Sequence, residues 1–228
     1  MSIRDNLMRV EEKITEALYR VGRKRDEIVL VAVTKGIETT RMEEAIALGV
    51  EDIGENRVQE ARTKWPHVHS QVNWHMVGHL QSNKAGQALE MFSLIHSLDR
   101  TSLLRRLAKQ AQRSNQTARV LVQVNTSKEA SKSGVATEQA QDFILEALST
   151  PGISVEGLMT IGPLQGGPEA ARPGFAWLRE MAEEIRSQKV PGGELPYLSM
   201  GMSADYVEAI LEGANMLRVG TAIFGPRR

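Results

Sequence analysis

The chain has 228 residues, with 28 Lys and Arg against 28 Asp and Glu, so its zero net charge lacks the basic excess that a nucleic-acid or anionic-membrane partner recruits. Hydrophobic residues are 41% and charged ones 25%, which excludes a wholly disordered chain, and the absence of cysteine excludes disulfides, thiolate metal sites and cysteine nucleophiles. Aromatics are only 4%, so the core falls to Leu, Ile, Val, Ala and 10 Met.

The first 25 residues are charged rather than signal-like. The apolar run at 28–33 is too short to cross a bilayer, so the expectation is a soluble, cytoplasmic protein. No low-complexity linker interrupts the pattern. The Gly/Pro-rich stretches at 163–173 and 191–196 are short enough to be loops, and one domain over 1–228 is expected.

Taken in order, Ile3, Leu7, Val10, Ile14, Leu18 and Val21 recur at spacings of three and four. They predict a helix with Ser2 as its cap, Asp5 three residues later and Gly22 as its stop. The basic stretch Arg20, Arg23, Lys24 and Arg25 suits the carboxyl end of that helix as a solvated cap. Apolar or β-branched runs follow at 28–34, 51–53, 74–77, 93–97, 119–124, 153–160, 197–200 and 216–219. Stretches of helical composition at 40–48, 56–64, 100–113, 137–148, 170–187 and 204–212 separate them.

Strands that alternate with helices need crossover connections and hence a parallel sheet. Eight such units predict an α/β fold, a single (β/α)8 TIM-type barrel with an extra N-terminal helix. An open doubly wound sheet is the weaker choice, because no G-x-G-x-x-G follows the first strand.

In such a barrel the functional face is the carboxyl end of the strands. Lys35 directly follows the most hydrophobic run, VLVAVTKG, where a partly desolvated amine can attack a carbonyl; position alone also fits a lysine that snorkels to water. The closing segment RVGTAIFG places Gly220 and Thr221 at a strand end, and SMGMSAD places Ser203 and Ala204 at the neighbouring one, predicted to open a helix. Both are suited to holding phosphate on N–H and hydroxyl groups. Barrel closure puts Lys35 beside the last strand, so an amine and a phosphate cup share one rim. His67, His69, His75 and His79 lack the spacing and carboxylate company of a zinc site, and no metal is expected. Neither G-x-S-x-G nor a P-loop occurs.

The strings VTKG at 33–36, IGENRVQE at 53–60, WHMVGHLQSNK at 74–84, LSMGMSADYVEAI at 198–210 and MLRVGTAIFG at 216–225 together resemble the pyridoxal phosphate homeostasis proteins over essentially the whole chain. The resemblance implies a barrel like the amino-terminal domain of bacterial alanine racemases, with pyridoxal 5′-phosphate (PLP) as cofactor. It implies that Lys35 forms the Schiff base, that Ser203, Gly220 and Thr221 hold the phosphate, that Arg218 contacts the pyridine nitrogen, and that Asn56 lies near the ring. It implies a carrier or buffer of PLP that maintains vitamin B6 and amino-acid/keto-acid balance, without established turnover and with transient contact with PLP-dependent apoenzymes. Neutral charge and the lack of a further apolar stripe are compatible with a monomer.

The enzyme alternative is a PLP-dependent amino-acid racemase, which needs a second acid/base opposite Lys35. The only tyrosines are Tyr19, Tyr197 and Tyr206, read here as one on the first helix and two in packing positions. A cofactor-free Schiff-base aldolase built on Lys35 is a third possibility, distinguished by a colourless protein.

Overall fold

The computed structural model describes residues 2–129 and 132–226. The chain opens with helix α1 (Ile3–Arg20), capped as its sequence predicts: Ser2 Oγ accepts the Asp5 N–H at 3.1 Å and Asp5 Oδ2 accepts the Ser2 N–H at 3.2 Å. Its buried stripe is Ile3, Leu7, Val10, Ile14, Ala17 and Leu18; the last expected member, Val21, caps the helix and is half-exposed. The basic stretch after α1 is paired rather than merely solvated, with Arg25 bonding both oxygens of Glu11 and Arg23 reaching Glu27 and the Ala214 carbonyl.

Strands and helices then alternate. In order they are β1 (Val29–Val33), α2 (Thr39–Ala47), β2 (Asp52–Glu55), α3 (Val58–Lys64), β3 (Asn73–Met76), α4 (Ala85–Met91), β4 (Leu94–Leu98), α5 (Thr101–Arg113) and β5 (Ala118–Asn125). The chain continues with β6 (Val135–Ala136), α6 (Ala140–Leu148), β7 (Ile153–Met159), α7 (Arg172–Ser187), β8 (Tyr197–Ser199), α8 (Tyr206–Leu211), β9 (Met216–Val219) and α9 (Thr221–Phe224). All pairings are parallel. The series β1, β2, β3, β4, β5, β7, β8, β9 returns to β1, which closes the eight-stranded barrel the sequence predicts.

Three elements were not foreseen. The two-residue β6 pairs the end of β5 and is too short to show a period. α4 carries Gly86 in seven residues and α9 has four, so neither presents enough helical pattern to read.

Period-2 alternation divides the core in two. Val31, Val77, Leu94, Leu121, Met159 and Met216 fill the barrel, while residues such as Ala32, Ile53, Trp74, Ile95, Val120, Leu158 and Leu217 join the shell under the helices. Within the barrel Gly54 spares room, since a Cβ there would stand 3.0 Å from Val31 and 3.1 Å from Val77. The small apolar plug does not extend along the whole axis, and the positions it leaves carry polar groups.

α1 packs on α8 and α9, and Asn6 Nδ2 donates to the Ile223 carbonyl at 2.8 Å, so the helix that precedes the barrel braces its last βα turn. Ile14 is 0% exposed in that contact face. Ile14→Ala is expected to lower unfolding stability by about 2–5 kcal/mol, as measured by urea denaturation.

Candidate functional site

The carboxyl-end rim gathers the residues singled out from the sequence. β1 continues through buried Thr34 to half-buried Lys35. The register of β1 on β9 pairs Ala32 with Val219, so this strand end lies beside Gly220, where a Cβ would stand 3.2 Å from the Val33 carbonyl oxygen. Lys35 therefore shares the closing seam of the barrel with Gly220 and Thr221. Its side chain has no hydrogen bond or ion pair among the described residues.

The backbone is held on both sides of Lys35. Lys64 Nζ, at the end of α3, donates to the Thr34 carbonyl at 2.7 Å, to Glu55 Oε1 at 2.8 Å and to Glu60 Oε1 at 2.7 Å. Glu60 Oε1 also accepts the Gly36 N–H at 2.5 Å, and the Thr34 hydroxyl donates to Glu55 Oε1 at 2.7 Å. Gly36 has φ +70°, a left-handed conformation that glycine adopts without a Cβ clash, so the chain turns away directly after the lysine.

Burial pushes the Glu55 carboxyl up, against the pull of its Lys64 and Thr34 hydrogen bonds, and its buried Oε2 has no partner among the described residues. Burial also pushes Glu60 up, but hydrogen bonds from Lys64 and Gly36 outweigh it and hold this carboxyl below its ordinary value.

Across the seam, Ser203 Oγ accepts the N–H groups of Gly220 at 3.2 Å and Ala222 at 3.1 Å, which leaves the hydroxyl proton free to donate. The sequence predicts Ser203 and Ala204 as the opening of a helix. α8 in fact begins at Tyr206, because Asp205 Oδ1 takes the Met202 N–H at 2.6 Å and folds residues 202–205 into a turn. Ser203 thus contributes through its hydroxyl rather than through a helix terminus. Thr221 opens α9, exposed and with no side-chain partner among the described residues.

Arg218, on β9, is 4% exposed and aimed into the barrel. Nη1 donates to Ser199 Oγ at 2.5 Å and Nη2 to the Thr160 carbonyl at 2.7 Å, so its direct partners are a hydroxyl and a carbonyl rather than a wall carboxylate. Burial pushes its pKa down to about 10 while the Asp205 carboxylate pulls it back, and the guanidinium stays charged with N–H groups to spare.

Asn56 sits half-buried in the β2–α3 turn, because α3 starts two residues later than the sequence pattern suggests. The turn after β3 packs on it: a Cβ at Gly78 would stand 2.4 Å from the Asn56 carbonyl oxygen. A cleft of about 1050 Å³ between α1, α2 and α9 reaches the rim at Gly36, Thr221 and Ala222.

Lys64, Glu60, Ser199 and Ala222 escaped the sequence reading. A usable signal existed for Glu60 and Lys64, an i,i+4 pair inside a helical stretch. Ser199 is a serine in a strand, and only barrel closure reveals its partner.

A family model described as alanine racemase, N-terminal domain, matches residues 6–228. A relative from Aquifex aeolicus, named pyridoxal phosphate homeostasis protein, is 38% identical over 229 residues, covering 100% of both chains. The chain belongs to the pyridoxal phosphate homeostasis protein family.

The barrel of this pyridoxal phosphate homeostasis family member is also similar to two solved structures. One is a protein of unknown function from Bifidobacterium adolescentis, at 35% identity and TM-score 0.93, covering 97% of this chain and 94% of that one. The other is PipY of Synechococcus elongatus PCC7942 with PLP bound, at 35% identity and TM-score 0.81, covering 93% of this chain and 100% of that one.

The Glu60 clamp gives a pH dependence of definite sign. A carboxylate with a depressed folded-state pKa contributes stability that is present above its unfolded pKa and lost as pH falls through the folded one. The stability difference between wild type and Glu60→Gln is therefore expected to be full at neutral pH and to shrink as pH drops below 4.5, as followed by urea denaturation across that range.

Proposed function

We propose that this chain binds PLP, holds it on Lys35 as a Schiff base, and carries or buffers it in support of vitamin B6 and amino-acid/keto-acid balance, with no turnover of its own. The observation that carries this reading is the convergence on one barrel seam of the Lys35 amine, without a partner among the described residues, with the hydroxyl and N–H donors of Ser203, Gly220, Thr221 and Ala222. That donor set fits the group. A phosphate needs several hydrogen-bond donors, an aldehyde needs an amine that no carboxylate has claimed, and a pyridine nitrogen can accept from Arg218, whose guanidinium has donors left over. The solved structure of the relative PipY with PLP bound supports the same ligand class.

When bound, PLP supplies an aldehyde that condenses with an amine and a ring that withdraws electrons. The chain's own groups do the rest. Lys64 and Glu60 fix the backbone on either side of Lys35, Ser203 gathers the phosphate-binding turn, Asn56 borders the ring's place, and Arg218 meets the ring nitrogen as a donor only. A donor-only partner supplies no acid to protonate the ring, which keeps it a weak electron sink and suits a carrier better than a catalyst.

Racemisation needs a second acid/base facing Lys35. Tyr19 is 88% exposed on α1, and Tyr197 opens β8 at the barrel end away from Lys35. Tyr206 is 5% exposed, with its proton held more tightly by burial and then by Glu208. None of the three is supported as that partner. The exchange of PLP in this proposal is by transient contact of a monomer with apoenzymes in the cytoplasm; separately, no helix among the described residues is long and apolar enough to cross a membrane.

Titration of the purified protein with PLP, read by visible absorbance, tests this proposal. Wild type should develop a yellow absorbance that Lys35→Ala lacks while keeping its far-UV circular dichroism; absorbance unchanged in Lys35→Ala would overturn the assignment. Ser203→Ala should weaken PLP binding by about 1.5–3 kcal/mol, the worth of one charge-assisted hydrogen bond. Pyridoxal without its phosphate should bind far more weakly and be insensitive to that substitution. Saturable racemisation of an amino acid by wild type, lost in Lys35→Ala, would favour the enzyme instead.

A further inference from the structure

Five polar residues form an unbroken line across the barrel interior. Arg218 Nη1 meets Ser199 Oγ at 2.5 Å, Ser199 Oγ meets His96 Nδ1 at 3.0 Å, His96 Nε2 meets His75 Nδ1 at 2.9 Å, and His75 Nε2 meets Asp52 Oδ1 at 2.9 Å. The line starts on β9 and passes through β8, β4 and β3 to the first residue of β2, at the end of the barrel opposite the Lys35 rim. Ser199 and His96 are 0% exposed and His75 is 4% exposed.

The directions of these bonds follow from chemistry. Arg218 can only donate, so Ser199 Oγ accepts from it. The serine hydroxyl has one proton, and among the described residues its only other neighbour is His96 Nδ1, which must therefore accept. His96 then carries its proton on Nε2 and donates to His75 Nδ1, and His75 carries its own on Nε2 and donates to Asp52. Every group is satisfied, and every proton points from the cation to the carboxylate.

The reverse polarity leaves the buried Ser199 hydroxyl proton without an acceptor and makes His75 a second cation near Arg218. Burial above all holds His96 well below its ordinary pKa, in keeping with a neutral ring. At the far end Asn73 Nδ2 also donates to Asp52 Oδ1, at 3.1 Å, fixing the terminal acceptor.

We propose that Asp52, His75, His96 and Ser199 are positioning residues for Arg218, a one-way hydrogen-bond chain that holds one edge of its guanidinium and leaves another edge for the pyridine nitrogen of PLP. The last clause rests on the reading that Arg218 meets that ring. Aligned bonds polarise one another, so Asp52 makes Ser199 Oγ a better acceptor for Arg218 than an isolated serine would be. A buried cation is thereby tied to a partly exposed carboxylate at the other end of the barrel, with both imidazoles uncharged between them.

Nitrogen-15 NMR of the ligand-free protein labelled on histidine and arginine tests the chain without reference to PLP. Both His75 and His96 are expected as neutral Nε2–H tautomers, with Nδ1 shifts of hydrogen-bonded acceptors. Ser199→Ala should move the His96 Nδ1 resonance to that of a bare nitrogen and shift the Arg218 side-chain N–H resonances, and Asp52→Asn should shift those of His75 and, more weakly, His96. An Nδ1–H tautomer at His96, a doubly protonated His75, or Arg218 resonances unmoved in Ser199→Ala would overturn the proposal.

The same variants loaded with PLP should show a shifted visible absorption maximum and faster loss of ligand. An unmoved spectrum would break the link to the cofactor, whereas a wild type that binds no PLP would sink the functional reading and leave the tautomer result to decide the chain.

Discussion

β1 and β9 lie at opposite ends of the chain, and no local propensity brings them together. Only the closing of the sheet pairs Val29 with Met216 and Ala32 with Val219, and with that pairing Lys35 is set beside Gly220. Lys35, Ser203, Arg218 and Thr221 come from strands or turns on both sides of this seam, so the site exists only in the closed barrel. α1 reinforces the same place from outside through its packing on α8 and α9 and the Asn6 bond to Ile223. The extra helix ahead of the barrel thus belongs to the stability of the turn that carries Gly220 and Thr221.

Two polar systems flank the seam and divide the work. Outside the strands, buried Lys64 holds the Thr34 carbonyl and both Glu55 and Glu60, and Glu60 holds Gly36, so the backbone carrying Lys35 has little freedom while the lysine side chain has no partner among the described residues. Inside the barrel, Arg218 is gripped by Ser199 and the Thr160 carbonyl. Both arrangements carry charge in nearly dry surroundings, where the desolvation cost is large unless each charge is multiply hydrogen-bonded. Preorganisation of this kind supports the proposed holding of a reactive aldehyde on one amine.

The eight principal strands were legible because each combines a short apolar run with turn residues, and their alternation with helices implies the parallel barrel. Lys35 and the Gly220–Thr221 turn were legible for a related reason, since a barrel has one functional rim and strand ends can be read directly. Asn56 and the pyridine-facing role of Arg218 entered only through resemblance to a family. The interior line from Arg218 to Asp52 was invisible, because its residues lie on five different strands and the period-2 signal says only that each faces inward. His75 was visible as a histidine but not as a link, and His96 sits in a short strand among Leu94, Ile95, Ser97 and Leu98. The start of α8 was misplaced because the Asp205 side chain, not helix propensity, shapes residues 202–205.

The proposed function requires Lys35, among all the lysines, to be the one that bonds covalently to PLP. Borohydride reduction of the PLP-loaded wild-type protein followed by peptide mapping tests it most directly. A single phosphopyridoxyl-labelled peptide is expected, with the label on Lys35. A label on Lys64, Lys132 or any other lysine, or no label at all from a protein that retains PLP, would contradict it.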